Sequence, residues 1–186
     1  ANQYEAITAQ LPTIRFDLAP CPIAKSKFYH SMNVAASAAG GTTMDRPEWV
    51  AANPLKAEAY VALTNNKNRG NKPNAGGDDT SVNGPNPRIS NNYGQIVRWT
   101  ADRNNHASSN FKWDIFALVG NPSVHKGANA GSKNINKDNM FNSPDGIKFD
   151  SKGGLWIQTD GKYSNTGDFA GMGNNQMLYG DPKTGE

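Results

Sequence analysis

The chain has 186 residues, enough for one well-buried core and too few for two ordinary domains. Its net charge of +3 sets 19 Lys and Arg against 16 Asp and Glu, and the lysines sit in Asn- and Gly-rich stretches without interleaved aromatics, which argues against a nucleic-acid partner. No apolar run approaches the roughly 20 residues that span a bilayer, and a single cysteine, Cys21, excludes an internal disulfide and any cysteine-cluster metal site.

With 19 Gly and 11 Pro and much Asn, the punctuation suits short strands joined by turns rather than a helical bundle. Residues 4–17 alternate weakly through Ile7, Leu11, Ile14 and Phe16 and predict one or two edge strands. Cys21 follows between two prolines and reads as a loop thiol rather than a nucleophile. The small-residue run 32–39, stopped by Gly40-Gly41, predicts a short helix leading into Thr42–Trp49. Residues 59–64 form a strand ended by Asn65-Asn66, and residues 67–92 are a long polar loop of the kind that carries function. Strands are expected over 94–99 and 112–119, with a second polar loop over 121–139. Ser143-Pro144-Asp145-Gly146 reads as a turn before a strand at 147–150, a hairpin turn at 151–154, a returning strand at 155–160 and a last strand at 175–181. Trp49, Trp99, Trp113 and Trp156 read as packing residues. The histidines His30, His106 and His125 show no metal-ligand spacing.

The fold class is therefore all-β with one short helix. A strand ending in Asn-Asn or Asp-Gly, a loop, and a strand carrying Trp or Tyr recur near Tyr60, Trp99 and Trp156. That repeat favours a partial β-propeller of about two to three blades, all within one domain over residues 1–186, with a sandwich as the alternative. A raw blade edge would invite self-association. Residues 1–5 carry neither a basic n-region nor an apolar h-region, which leaves the compartment open.

Arg46 and Glu48 stand two residues apart around Pro47. Pro47 biases Arg46 toward extended backbone, where both side chains would leave on one face, a guanidinium fork for phosphate beside a carboxylate for a cation. The plain alternative is a surface salt bridge. Asp45 reads as a capping residue that steadies the loop. Asp145 in Ser-Pro-Asp-Gly and Asp160 in Thr-Asp-Gly suit either turn chemistry or metal ligation.

The block Met44-Asp45-Arg46-Pro47-Glu48-Trp49-Val50, followed in order by 59–66, 91–99, 141–146, 154–161 and 172–177, resembles the PhoX-type alkaline phosphatases over residues 30–186. That resemblance implies a six-bladed propeller with an insertion subdomain, exported to the periplasm or beyond, that hydrolyses phosphomonoesters with calcium and iron. It further implies that Arg46 contacts phosphate and that Glu48, Asp145 and Asp160 are metal ligands. The resemblance also implies that the family's cysteine ligand lies further upstream, in a half this chain is not expected to contain, so Cys21, which lacks its context, does not take that role. It implies, too, that another active-site arginine lies downstream of the last matched block. The expectation is a C-terminal-half fragment of a larger enzyme, inactive alone. The competing readings are a non-catalytic propeller that binds protein or glycan and, further off, a calcium-binding lectin-like sandwich.

Overall fold

The computed structural model describes residues 6–7, 41–75, 79–162 and 164–185. The helix expected over 32–39, most of the strand material in 4–17, Cys21 and His30 lie outside the described residues. One compact unit comprises Ala1–Ala9 and Met44–Glu186 and holds every element below; Gln10–Thr43 form a second.

Eight strands carry the first unit: β1 (Ala6–Ile7), β2 (Pro47–Ala52), β3 (Glu58–Leu63), β4 (Gln95–Ala101), β5 (Phe111–Leu118), β6 (Pro144–Phe149), β7 (Leu155–Thr159) and β8 (Met177–Gly180). They form a five-stranded sheet in the order β1-β5-β4-β3-β2 and a three-stranded sheet in the order β6-β7-β8. Every pairing is antiparallel. Strands β2 to β5 are an up-and-down meander of four, the unit from which propeller blades are made. Helix among the described residues is limited to three short 3-10 turns, at Asp102–Asn104, Gly127–Ala130 and Gly167–Phe169.

Strand β3 explains why the meander is stable. Tyr60 and Ala62 point to one face and Val61 and Leu63 to the other, and all four are buried. On the first face Tyr60 meets Phe116 and Phe149 edge-on, at 5.3 and 5.0 Å between ring centres, and joins Ile96, Ala117, Ile147, Leu155 and Ile157 in a core shared by both sheets. On the second face Val61, Leu63 and Val97 pack with Met44, Trp99 and Trp113. Burial of each large apolar side chain contributes about 1.5–3 kcal/mol, so β3 anchors both layers.

Two hairpins repeat one design. In β2–β3, Pro47 faces Leu63 and Val50 faces Val61; in β6–β7, Pro144 faces Thr159 and Ile147 faces Ile157. Each first strand thus holds one extra residue just after its proline, a β-bulge that bends the strand and turns the intervening side chains. The residue before each proline has positive φ, 50° at Arg46 and 54° at Ser143. Its carbonyl accepts from the far strand in both cases, from Thr64 N at 3.1 Å and from Asp160 N at 3.0 Å. The hairpin turns match as well, since Asn53 Oδ1 accepts from Leu55 N and Asp150 Oδ1 from Lys152 N. Glu48 and Asp145 are therefore equivalent residues of two successive units, and β2 lies against β6.

Three expectations change. Residues 144–146 begin strand β6 rather than a turn, because Pro144 pairs with Thr159 before the bulge. Pro47–Ala52 is a strand, although nearly every residue in it is exposed. Trp49 and Trp156 are 56% and 39% exposed, so they are not packing residues as Trp99 and Trp113 are.

Candidate active site

Asp45 is wholly buried, and its surroundings fix the start of β2. Arg69 Nε donates to Asp45 Oδ1 at 2.7 Å, and Asn91 Nδ2 donates to Oδ2 at 2.8 Å. Its own amide donates to Asn86 Oδ1 at 2.9 Å. Arg69 is itself fully buried and donates to Ser81 O at 2.9 Å. Beside this pair Arg88 donates to Asn91 Oδ1 at 2.6 Å and to Ala128 O at 3.0 Å, with its guanidinium over the Tyr93 ring. Burial lowers the Arg88 pKa to about 10, with Tyr93 and Asp45 opposing. The loop between β3 and β4 is thus bolted to the start of β2 through buried charge. Asp45 steadies the loop from the interior, through side-chain partners rather than as the cap expected.

That anchoring holds Arg46 in the left-handed region, not the extended conformation expected before a proline. The expected convergence with Glu48 still arises, by a different route. Arg46 Nη2 donates to Glu48 Oε1 at 3.3 Å and Nη1 to Asn65 Oδ1 at 3.3 Å. The ion pair is open to solvent, with side chains 57% and 37% exposed.

Arg46 lines a cleft of about 520 Å³ together with Asn65, Ser143, Asp160, Lys67, Lys162 and Phe169. Ser143 Oγ accepts from Asn65 Nδ2 at 3.1 Å and donates to Asn142 Oδ1 at 3.0 Å, which ties the two hairpins together at the cleft floor. Asp160 is exposed on this cleft, one residue past the end of β7. Asp145 sits in the bulge of β6. Partial burial raises its pKa, the charges of Glu48 and Asp160 raise it further, and Arg46 opposes them. Of the four sequence-predicted residues, Arg46 and Asp160 line the cleft, Glu48 pairs with Arg46, and Asp145 feels the charge of the other three. Among the described residues, no three His, Cys, Asp or Glu close into a metal cluster. His106 and His125 are not among the residues that line this cleft. Sequence reasoning missed Asn65, Ser143, Lys162 and Phe169; Asn65 and Ser143 lie inside matched blocks but were read there as strand-end and turn residues, and Lys162 and Phe169 lie just outside them.

The sequence profile described as Alkaline phosphatase PhoX matches residues 23–186. The chain belongs to the PhoX alkaline phosphatase family. It is similar to the solved structure of Pseudomonas fluorescens PhoX in complex with vanadate, a transition state analogue, with a TM-score of 0.77 and 57% identity. The match covers 83% of this chain and 26% of that one, so the chain spans about a quarter of the PhoX structure. No curated protein matches it. The two sheets are accordingly a partial PhoX β-propeller, with no closed barrel among the described residues. None of the described helices is long and apolar enough to cross a membrane.

Proposed function

We propose that this chain supplies one wall of a phosphomonoesterase active site, with Arg46 as the phosphate contact and Glu48, Asp145 and Asp160 as part of a ligand set for hard cations. The observation that carries this reading is geometric: Arg46 lines a cleft with Asp160 and pairs with Glu48 at 3.3 Å, and Glu48 and Asp145 occupy equivalent bulges of the adjoining strands β2 and β6. Carboxylates beside a guanidinium are the donor chemistry that calcium or ferric iron favours, so Glu48, Asp145 and Asp160 suit such metals in kind, although among the described residues they do not close into a three-ligand cluster. Bound there, such cations would draw charge from the phosphoryl oxygens.

The chain's own contribution is positional. The fork of Arg46 can hold two phosphoryl oxygens, and its pairing with Glu48 and Asn65 limits its rotamers before substrate arrives. Lys67 and Lys162 add positive charge to the same cleft and favour entry of an anion. The vanadate complex of the Pseudomonas protein supports phosphoryl chemistry for this site. The binding-module reading is weaker, because Arg46 and Glu48 pair at the mouth of a polar cleft rather than inside a buried bridge. Export to the periplasm or beyond follows the same family reading.

The isolated chain should be inactive, since one arginine and three carboxylates supply only part of what phosphoryl transfer needs. In the complete phosphatase, Glu48→Gln should lower metal content and rate by orders of magnitude. Arg46→Lys should lower the rate while metal content and melting temperature hold. Near-normal metal content and rate in both variants would reduce this block to scaffolding.

A further inference from the structure

Among the described residues Phe169 is the one aromatic that lines the cleft, and the fold holds it from behind. Phe169 ends the 3-10 turn Gly167–Phe169 and lines the cleft opposite no other aromatic residue among those described. Its ring meets Tyr93 edge-on at 5.6 Å and is partly buried against the core, so one side is fixed while the rest borders the cleft.

The backbone on both sides of Phe169 is tied to buried groups. Asn121 Nδ2 donates to Asp168 O at 3.0 Å and to Ala170 O at 2.8 Å, which brackets Phe169 with one side chain. Tyr93 Oη donates to the same Asp168 carbonyl at 2.7 Å. His125 Nε2 lies 3.2 Å from Asp168 Oδ1, near enough for an ion pair when the imidazole is charged, though not in hydrogen-bonding geometry. Asn165 Oδ1 closes the turn by accepting from Gly171 N at 2.6 Å. A wall held this way costs little ordering entropy when a ligand packs on it.

The remaining charged lining, Arg46, Lys67, Lys162 and Asp160, is net cationic. An anionic head and a flat apolar body together match such a cleft. We infer that Phe169 is the surface against which the alcohol portion of the substrate lies, and that it favours phosphomonoesters whose alcohol presents a flat apolar face, such as aryl phosphates, over short polyol phosphates. The inference rests on the phosphatase reading above and adds a substrate class to it.

The test measures kcat and KM for p-nitrophenyl phosphate and for glycerol 2-phosphate in the complete phosphatase. Loss of an aromatic contact formed equally in ground and transition states should raise KM for the aryl ester by about three- to tenfold in Phe169→Ala, with kcat unchanged. Glycerol 2-phosphate kinetics should not move. Phe169→Leu, which keeps apolar bulk, should show a smaller rise for the aryl ester alone, and it decides the matter if the alanine variant does not fold. A wild-type enzyme that hydrolyses both esters, with variants that lose both equally or lose neither, overturns the Phe169 inference and leaves the phosphatase reading standing. A wild-type enzyme that hydrolyses neither overturns both.

Discussion

Substituting Asp45 by alanine should damage this chain more than any single change on its surface. The carboxylate and the Arg69 guanidinium are both essentially inaccessible to water, and Nε and Oδ1 are 2.7 Å apart. Alanine removes the buried carboxylate that pairs with Arg69 and one of the two acceptors of the Asn91 amide. Removing one partner of a buried pair costs about 3–5 kcal/mol. At roughly 2–4 °C per kcal/mol for a chain of this length, the melting temperature should fall by about 6–20 °C. The double change Asp45→Leu with Arg69→Met removes both charges and should recover much of that loss, because the desolvation cost disappears along with the attraction. Circular dichroism melts and urea titrations of the wild-type chain, Asp45→Leu, Arg69→Met and the double variant complete the cycle, with Asp45→Ala measured beside them. A loss below about 1 kcal/mol in Asp45→Ala would place the pair in solvent and refute the reasoning.

Gly94 has φ of +84°, and a Cβ there would strike the Leu63 and Thr64 carbonyls, which are backbone and cannot yield. Gly94→Ala should cost at least about 3 kcal/mol in denaturant titrations, and a neutral result would mean that the β3–β4 junction is slack. The Asp150 carboxyl is held below its usual range, first by the Gly154 amide and also by Trp156 and Lys152. Its folded pKa lies below its unfolded one, so its stabilisation is complete above about pH 3.9 and is lost as pH falls through the folded value. Asp150→Asn should flatten that acid limb of the melting temperature, and an unchanged acid limb counts against the turn's role. Strand β2 ends its sheet with Trp49 and Val50 more than half exposed, which motivates self-association through that edge. Sedimentation velocity should show a concentration-dependent dimer that Val50→Lys abolishes; a wild-type chain that stays monomeric throughout would sink the proposal.

Strands β3, β4, β5, β7 and β8 were legible because apolar runs such as Tyr60–Leu63 have few alternatives to burial. Strand β2 was not, because Pro47, Glu48 and the exposed Trp49 and Val50 offer no buried face to read. The start of β6 was misread since Ser-Pro-Asp-Gly is turn vocabulary; only pairing with Thr159 makes it a strand. The grouping of Arg46, Glu48, Asp145 and Asp160 came from family resemblance. Their local spacing predicted the wrong backbone for Arg46, where the Thr64 amide's bond to the Arg46 carbonyl and the Asp45 amide's bond to Asn86 Oδ1 override the preference of a residue before proline. Arg69 and Arg88 gave no sign of burial, for charges in an Asn- and Gly-rich loop usually face water.

The equivalence of the two hairpins also dictates an order of assembly. Each hairpin closes over a short loop, and the meander from β2 to β5 can form from neighbouring segments. Contact between β2 and β6 joins residues about a hundred positions apart, and the entropy of closing so large a loop must be met before any contact there is gained. Arg46 and Asp145 are therefore expected to come together late, after both hairpins exist. A folding intermediate with native hairpins and no cleft would pass a test for secondary structure while lacking every property that depends on the two acidic bulges standing side by side.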